Sequence, residues 1–212
     1  MNTVRDTRFW DRSARRYAAA PVADQDAYAR TLDRTRVLLR PEHHVVELGC
    51  GTGSAAGTLA KFVRSYQATD ISGEMIRIAS DRHATSPVAG LEFQAATAEQ
   101  LLNEAVRADV IIGFNYLHLV RDLPGALRSV YGMLGEQGVF VSKTPCLGNM
   151  NPIIRWALLP AMRAVGMAPF AGSFTTAGLC EALVFAGFEV LSVENHASNR
   201  DDHRPFIVAR RT

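Results

Sequence analysis

At 212 residues and 48% hydrophobic content, the chain can bury one ample core, with little room for a second independent domain. A formal net charge of +2 gives no argument by itself for a nucleic-acid partner. Cys50, Cys146 and Cys180 are odd in number and form no C-x-x-C pair, which argues against a disulfide framework or zinc site and predicts a reducing, cytoplasmic compartment. The N-terminus carries no apolar run with a small-residue cleavage site. The most apolar stretch, Ile153 to Phe170, is broken by Arg155, Pro160 and Arg163, so no transmembrane segment is expected.

Two helices are predicted first, over about Thr7–Ala19 and Asp24–Leu39, separated by Pro21 and closed by Pro41. In the first, Trp10, Ala14 and Tyr17 share one face, and Arg5, Arg8, Arg12, Arg15 and Arg16 make the helix basic. Those arginines fit a solvated face, or contact with an anionic substrate or membrane surface. Apolar strand-like runs then follow at Val45–Leu48, Tyr66–Ile71, Leu91–Ala95, Val110–Phe114 and Val139–Ser142. Helical segments alternate with them at Ser54–Val63, Gly73–Arg82, Glu99–Val106 and Leu123–Leu134. Alternation of this kind predicts βαβ units, a mostly parallel sheet and helices on both faces. A last helix from Thr175 or Thr176 to a C-terminal Gly187 precedes strands Phe188–Val193 and Pro205–Ala209. The polar residues between those two strands are too few for a helical crossover, so an antiparallel hairpin at one sheet edge is predicted.

The most informative stretch is Glu47-Leu48-Gly49-Cys50-Gly51-Thr52-Gly53, followed by Ala68-Thr69-Asp70-Ile71. A strand that runs into a glycine turn lets a ligand approach bare main chain, and a carboxylate ending the next strand can grip a ribose diol. The spacing is G-x-G-x-G. Ser54 stands where a dinucleotide fingerprint has its third glycine, and no Gly-Lys-Ser/Thr follows to make a phosphate loop.

These motifs resemble those of class I S-adenosylmethionine-dependent methyltransferases. The likeness runs from about residue 43 to 145, through Ser72-Gly73-Glu74-Met75, Asp109–Leu119 and the turn Leu134-Gly135-Glu136-Gln137-Gly138. It implies a Rossmann-like seven-stranded α/β fold and S-adenosyl-L-methionine as cofactor. By that resemblance Gly49, Cys50, Gly51 and Gly53 pass beneath the cofactor, with Glu47 near its amino-acid end. Asp70 takes both ribose hydroxyls, and Ile71 and Met75 pack on the adenosine. Asn115 lies beside the methionine portion, with Tyr17 as a wall of the pocket. Thr97, followed by Ala98, stands where the family often carries an adenine-binding aspartate; its hydroxyl is expected to accept that bond without charge.

An activated sulfonium needs only an aligned nucleophile and exclusion of water, with a base where the acceptor has a proton to lose. His118, just after the fourth predicted strand, is the candidate base, and Tyr116 a weaker one. The alternative for His118 is a ring that packs against the cofactor. His43 and His44 face opposite ways in a strand, and His196, Asp201, Asp202 and His203 fall in a polar loop expected to be solvated, so no metal site is expected.

Specificity is expected from two additions to the core at 43–145: a helical cap over 1–42 and an apolar insertion over 146–174. The insertion carries Met150, Ile153, Trp156, Met162, Met167 and Phe170, which suit a lid over a lipophilic acceptor, a further core helix, or a dimer or membrane-surface contact. Residues 175–212 complete the single domain. The turn Asn115-Tyr116-Leu117-His118 lacks the N-P-P-Tyr pattern of base-amino methylation, which argues against nucleic acid. A small molecule is the expected substrate, with a protein substrate as the alternative. A non-catalytic binder of the same cofactor and a nicotinamide oxidoreductase are the competing functions. Ser54 and the terminal hairpin argue against the oxidoreductase.

Overall fold

The computed structural model describes residues 3–149, 170–198 and 203–212. Seven strands form one sheet in the order β3-β2-β1-β4-β5-β7-β6. They are β1 His44–Leu48, β2 Ser65–Asp70, β3 Leu91–Ala95, β4 Ala108–Phe114, β5 Leu134–Lys143, β6 Phe188–Glu194 and β7 Phe206–Arg211. β1 to β5 pair in parallel, and β7 lies antiparallel between β5 and β6. The strand order reverses between β1 and β4, and in such sheets the crevice beyond the strand ends at that point receives ligands.

Alternation along each strand decides what faces which helix layer. Val46, Leu48, Ile111 and Phe140 point to a cluster with Leu101 and Leu127, from α5 (Ala98–Asn103) and α6 (Leu123–Met133), and with Leu179 and Leu183 of α7 (Thr176–Phe185). Val45, Tyr66, Ile112 and Val141 point the other way, onto Ala55, Ala56 and Leu59 of α3 (Ser54–Leu59). Both faces of the sheet are thus covered, as near-continuous apolar strands require.

Several elements end earlier or later than periodicity suggests. α1 begins at Thr3 rather than Thr7, and α2 covers Gln25–Arg36, with Asp24 accepting from the Ala27 N–H at 2.9 Å. α3 gives way after Leu59 to a tighter turn at Ala60–Phe62. α5 stops at Asn103, and Ala105 takes a left-handed φ of 58°. α4 spans Gly73–Ala84 and is capped by Ser72, whose Oγ accepts from Met75 N at 3.1 Å.

α1 lies on α4. Asp11 Oδ1 accepts from Ser72 Oγ at 2.6 Å, and Arg82 reaches Thr52 Oγ1 and the Ala18 carbonyl, both at 2.7 Å. α2 is tied instead to the last hairpin, through Arg34 to Glu194 and Arg30 to the His196 carbonyl. His196 is buried rather than solvated: its Nδ1 meets Thr31 Oγ1 and its Nε2 meets Glu194 Oε2, each at 3.1 Å, over the Phe206 ring. Polar partners from α2 and β6 enclose a ring that loop composition had placed in water.

The apolar segment over 150–169, with its methionines and Trp156, lies outside the described residues, as do Asp201 and Asp202. Among the described residues no three His, Cys, Asp or Glu side chains converge for a metal ion, and no helix is long and apolar enough to cross a membrane.

Candidate active site

The turn after β1 is held by its neighbour strand, since Cys50 N donates to the Thr69 carbonyl at 2.9 Å. Gly49 and Gly53 both adopt positive φ, 72° and 76°. A Cβ at Gly49 would stand 3.0 Å from Tyr116 Cδ2, and one at Gly53 only 2.8 Å from Phe93 Cε1. Backbone conformation and close approach thus both demand glycine there. Asp70, the last residue of β2, bridges the turn to α4: Oδ2 accepts from Gly51 N at 3.0 Å and Oδ1 from Ser72 N at 2.9 Å. Burial pushes the Asp70 pKa up, and these two N–H groups oppose the shift. Each oxygen keeps a lone pair for a further donor.

A cleft of about 1390 Å³ opens above this turn, larger than a single drug-sized ligand requires. Gly49, Gly51, Asp70, Ile71 and Met75 form its floor and one wall, with Thr97 and Ala98 at the far side of that wall. Tyr17 and Trp10 of α1 cover it, packed edge to face with ring centroids 6.3 Å apart. Asn115, Tyr116 and His118 line it from the turn after β4, where Asn115 adopts φ 50° and its N–H donates to the Lys143 carbonyl at 2.6 Å.

Three residues assigned to the cofactor by resemblance do not line the cleft. Glu47 shares the Val45 side of β1, so its carboxyl sits behind the turn and accepts from the Tyr66 hydroxyl at 2.9 Å. Only 2% exposed, it is pushed up to about 7 by burial, with the Tyr66 bond acting against that. Cys50 is buried as well, and burial pushes its thiol pKa up. Gly53 serves packing, as the residue that opens α3 beneath Phe93 and Ala79.

Thr97 lines the cleft and also caps a helix. Its Oγ1 accepts from Gln100 N at 3.2 Å while Gln100 Oε1 accepts from Thr97 N at 2.8 Å, a reciprocal cap on α5. The hydroxyl keeps its proton and one lone pair, so it can donate to a ring nitrogen or accept from an amino group.

At the other end, His118 sits on a single tight turn, Leu117–Leu119. Thr144 Oγ1, fully buried just past β5, lies 3.2 Å from His118 N and 2.9 Å from His118 Nδ1. Burial pulls the His118 pKa down to about 4, so the ring is neutral at pH 7. Burial pushes the Tyr116 phenol up, so it holds its proton and is a poor base. Arg121 donates to both oxygens of Asp6 at 2.7 and 2.8 Å and lies over the Phe170 ring, 4.6 Å from its centroid. Asp6, Arg121 and Phe170 all line the cleft.

Sequence reasoning missed Thr144 and the Asp6–Arg121 pair, and no local motif announces either. It also missed Leu102 and Asn103 of α5, with Gly125 and Ser129 of α6, which extend the cleft between those helices.

A family model described as a methyltransferase domain matches residues 14–193. Among curated proteins, the uncharacterized methyltransferase YcgJ of Bacillus subtilis is 30% identical over 102 residues, 48% of this chain and 40% of that protein. The mitochondrial arginine-hydroxylase NDUFAF5 of Danio rerio is 28% identical over 175 residues, 80% of this chain and 52% of that protein. The chain spans about half the length of the curated relatives it matches. Among solved structures, magnesium protoporphyrin IX methyltransferase from Synechocystis, with S-adenosylhomocysteine bound, superposes with a TM-score of 0.72. At 18% identity, over 100% of this chain and 99% of that one, that likeness establishes the fold.

Proposed function

Because the chain belongs to the family of class I S-adenosylmethionine-dependent methyltransferases, we propose that it methylates an O, N or C atom of a small, apolar or aromatic molecule. The observation that carries this reading is Asp70. Its carboxylate ends β2 beside the bare glycine main chain that leaves β1, one strand from the strand-order reversal, with a lone pair on each oxygen for one ribose hydroxyl. The donor set fits the cofactor elsewhere too. Ile71 and Met75 give the adenosine an apolar wall, Thr97 offers a donor to the base, and Asn115 stands where the methionine portion would lie. Glu47, behind the turn, touches the cofactor in none of these roles.

When bound, the cofactor supplies a methyl carbon already activated by its sulfonium. What the chain adds is alignment and dryness. Trp10 and Tyr17 roof the cleft, and Phe114, Leu119, Val120 and Phe170 give it apolar surface for an acceptor. His118 is the polar side chain placed to touch the acceptor. In this reading residues 1–42 act as a cap, 43–145 as the cofactor-binding core, and 175–212 as the helix and hairpin that complete the sheet.

Two measurements test it. Calorimetry should show S-adenosylhomocysteine binding and no binding of NAD. Isotopically labelled S-adenosylmethionine, incubated with the protein and a metabolite extract, should place label in a small molecule. Binding of NAD in place of S-adenosylhomocysteine would refute the proposal. So would labelled cofactor that binds and never transfers its methyl, as a non-catalytic binder would behave.

A further inference from the structure

Thr144 stands just past β5, completely buried, with one hydroxyl proton to give and two lone pairs to receive. Among the described residues its Oγ1 has two hydrogen-bonding neighbours, both in His118: the backbone N at 3.2 Å and Nδ1 at 2.9 Å. The backbone N–H can only donate, so Oγ1 accepts from it. The Thr144 proton then needs an acceptor, and Nδ1 is the one within reach. Were Nδ1 itself protonated, a buried hydroxyl proton would be left without a partner, an arrangement folded proteins avoid. A neutral imidazole with a bare Nδ1 carries its proton on Nε2. The His118 ring lines the cleft, and Nε2 has no partner among the described residues. The ring therefore offers the acceptor a donor rather than a base.

We propose that Thr144 is a positioning residue that fixes the Nε2–H tautomer of His118, and that the acceptor this donor serves is an ionised carboxylate. The inference rests on the methyl-transfer reading above and narrows its substrate. A carboxylate has no proton to lose, so no base is required. It also has two oxygens: one accepts from Nε2–H while the other is free to react. A phenolate held by the same donor would lose nucleophilicity at its only oxygen, an alcohol would need a proton removed, and a neutral amine has one lone pair, which cannot both accept from Nε2–H and attack. In the step, a carboxylate oxygen gives an electron pair to the methyl carbon. The carbon–sulfur bond breaks with its electrons left on sulfur, and the −1 and +1 charges cancel into a neutral methyl ester and a thioether. The low proton affinity of the buried ring agrees, since it keeps His118 neutral in the working range.

The first arm needs no cofactor. Long-range proton–nitrogen NMR on the full chain, with nitrogen-15 histidine, should show His118 protonated at Nε2 and bare at Nδ1. Thr144→Ser should preserve that signature, whereas Thr144→Val should release the ring to mixed tautomers. A proton on Nδ1 of the unaltered protein overturns the proposal without touching the methyl-transfer reading. The second arm treats the products of the labelled extract with mild base. Volatile, base-released label marks methyl esters and supports the proposal; base-stable label marks ethers, amines or carbon products and overturns it. Absence of label from a protein that still binds S-adenosylhomocysteine also counts against it, while failure to bind S-adenosylhomocysteine refutes the methyl-transfer reading and the carboxylate acceptor with it, and leaves the tautomer to the first arm. Transfer should fall about tenfold or more in Thr144→Val and His118→Ala, the size of a lost hydrogen bond to a charged group. Thr144→Ser should stay near the unaltered rate.

Discussion

At the glycine-turn end of the cleft, polar groups are held by main-chain N–H groups. Asp70 takes its two bonds from Gly51 and Ser72, and Thr97 is capped by Gln100 three residues on. At the other end, side chains hold side chains: Asp6 to Arg121, and Thr144 to the His118 ring. The first kind of site is rigid because the N–H groups that hold it belong to the turn after β1 and the entries to α4 and α5. The second depends on how α1 and the turn after β4 come to rest against each other, so it can change with the substrate while the fold stays the same.

The largest expected effect tests the rigid end. Asp70→Asn exchanges one carboxylate oxygen for an amide nitrogen that cannot accept, and removes the charge that faces the ribose. The loss should approach 3 kcal/mol, about a hundredfold weaker S-adenosylhomocysteine by calorimetry. A change under about threefold would mean that the ribose is not held here. Gly53→Ala comes next. With φ at 76° and Phe93 2.8 Å from the new Cβ, it should cost about 2 kcal/mol in urea unfolding. Gly73→Ala is the control, because nothing lies within 4 Å of its Cβ position and its φ is ordinary. It should be neutral or stabilising by about 0.5 kcal/mol.

The same contrast explains what could be read from residues alone. The glycines and Asp70 declare themselves because they are neighbours in sequence and their chemistry needs that spacing. Glu47 did not, since strand alternation puts it with Val45 and Tyr66 rather than over the turn. The capping signal Thr97-x-x-Gln100 is present in the sequence and accounts for one of the two lone pairs of the Thr97 hydroxyl. The early stop of α5 had no such signal, because an alanine, not a glycine, takes the left-handed conformation at 105. The burial of His196 and the placement of Thr144 arise from partners on other elements, which no local pattern encodes.

Glu47 gives a pH test on the rigid side. Its folded pKa, about 7, is raised above the ordinary value near 4.3 of an unfolded chain. The stability this carboxyl contributes is therefore fully present below about pH 4.3 and is lost as pH rises through 7, by on the order of a few kcal/mol. Glu194, held below its usual range by His196, Ser192 and Arg34, works in the opposite direction as pH falls. The difference between variants isolates the effect. Glu47→Gln cannot ionise, and any cost of its amide is the same at every pH. Its melting temperature relative to the unaltered protein should rise from pH 5 to about 7 and level off by pH 8. A flat difference would mean that Glu47 is already ionised at pH 5.

The smallest effect on folding should come from the long-range side. The Asp6–Arg121 pair is partly exposed, with 38% of the Arg121 side chain in water. Pairs of that kind contribute about 0–1 kcal/mol to stability. Arg121→Met keeps much of the side-chain bulk over Phe170 and removes both hydrogen bonds to Asp6. Unfolding should shift by less than about 1 kcal/mol and S-adenosylhomocysteine affinity should hold. The acceptor KM should rise a few-fold, because α1 then closes less firmly over the cleft. Asp6→Asn should do the same, and the double variant should do no more than either single change, since all three break one contact. Opposite effects of the two single changes would show that Arg121 meets the acceptor directly and that Asp6 holds it back from doing so. In that case Asp6→Asn should lower the KM where Arg121→Met raises it.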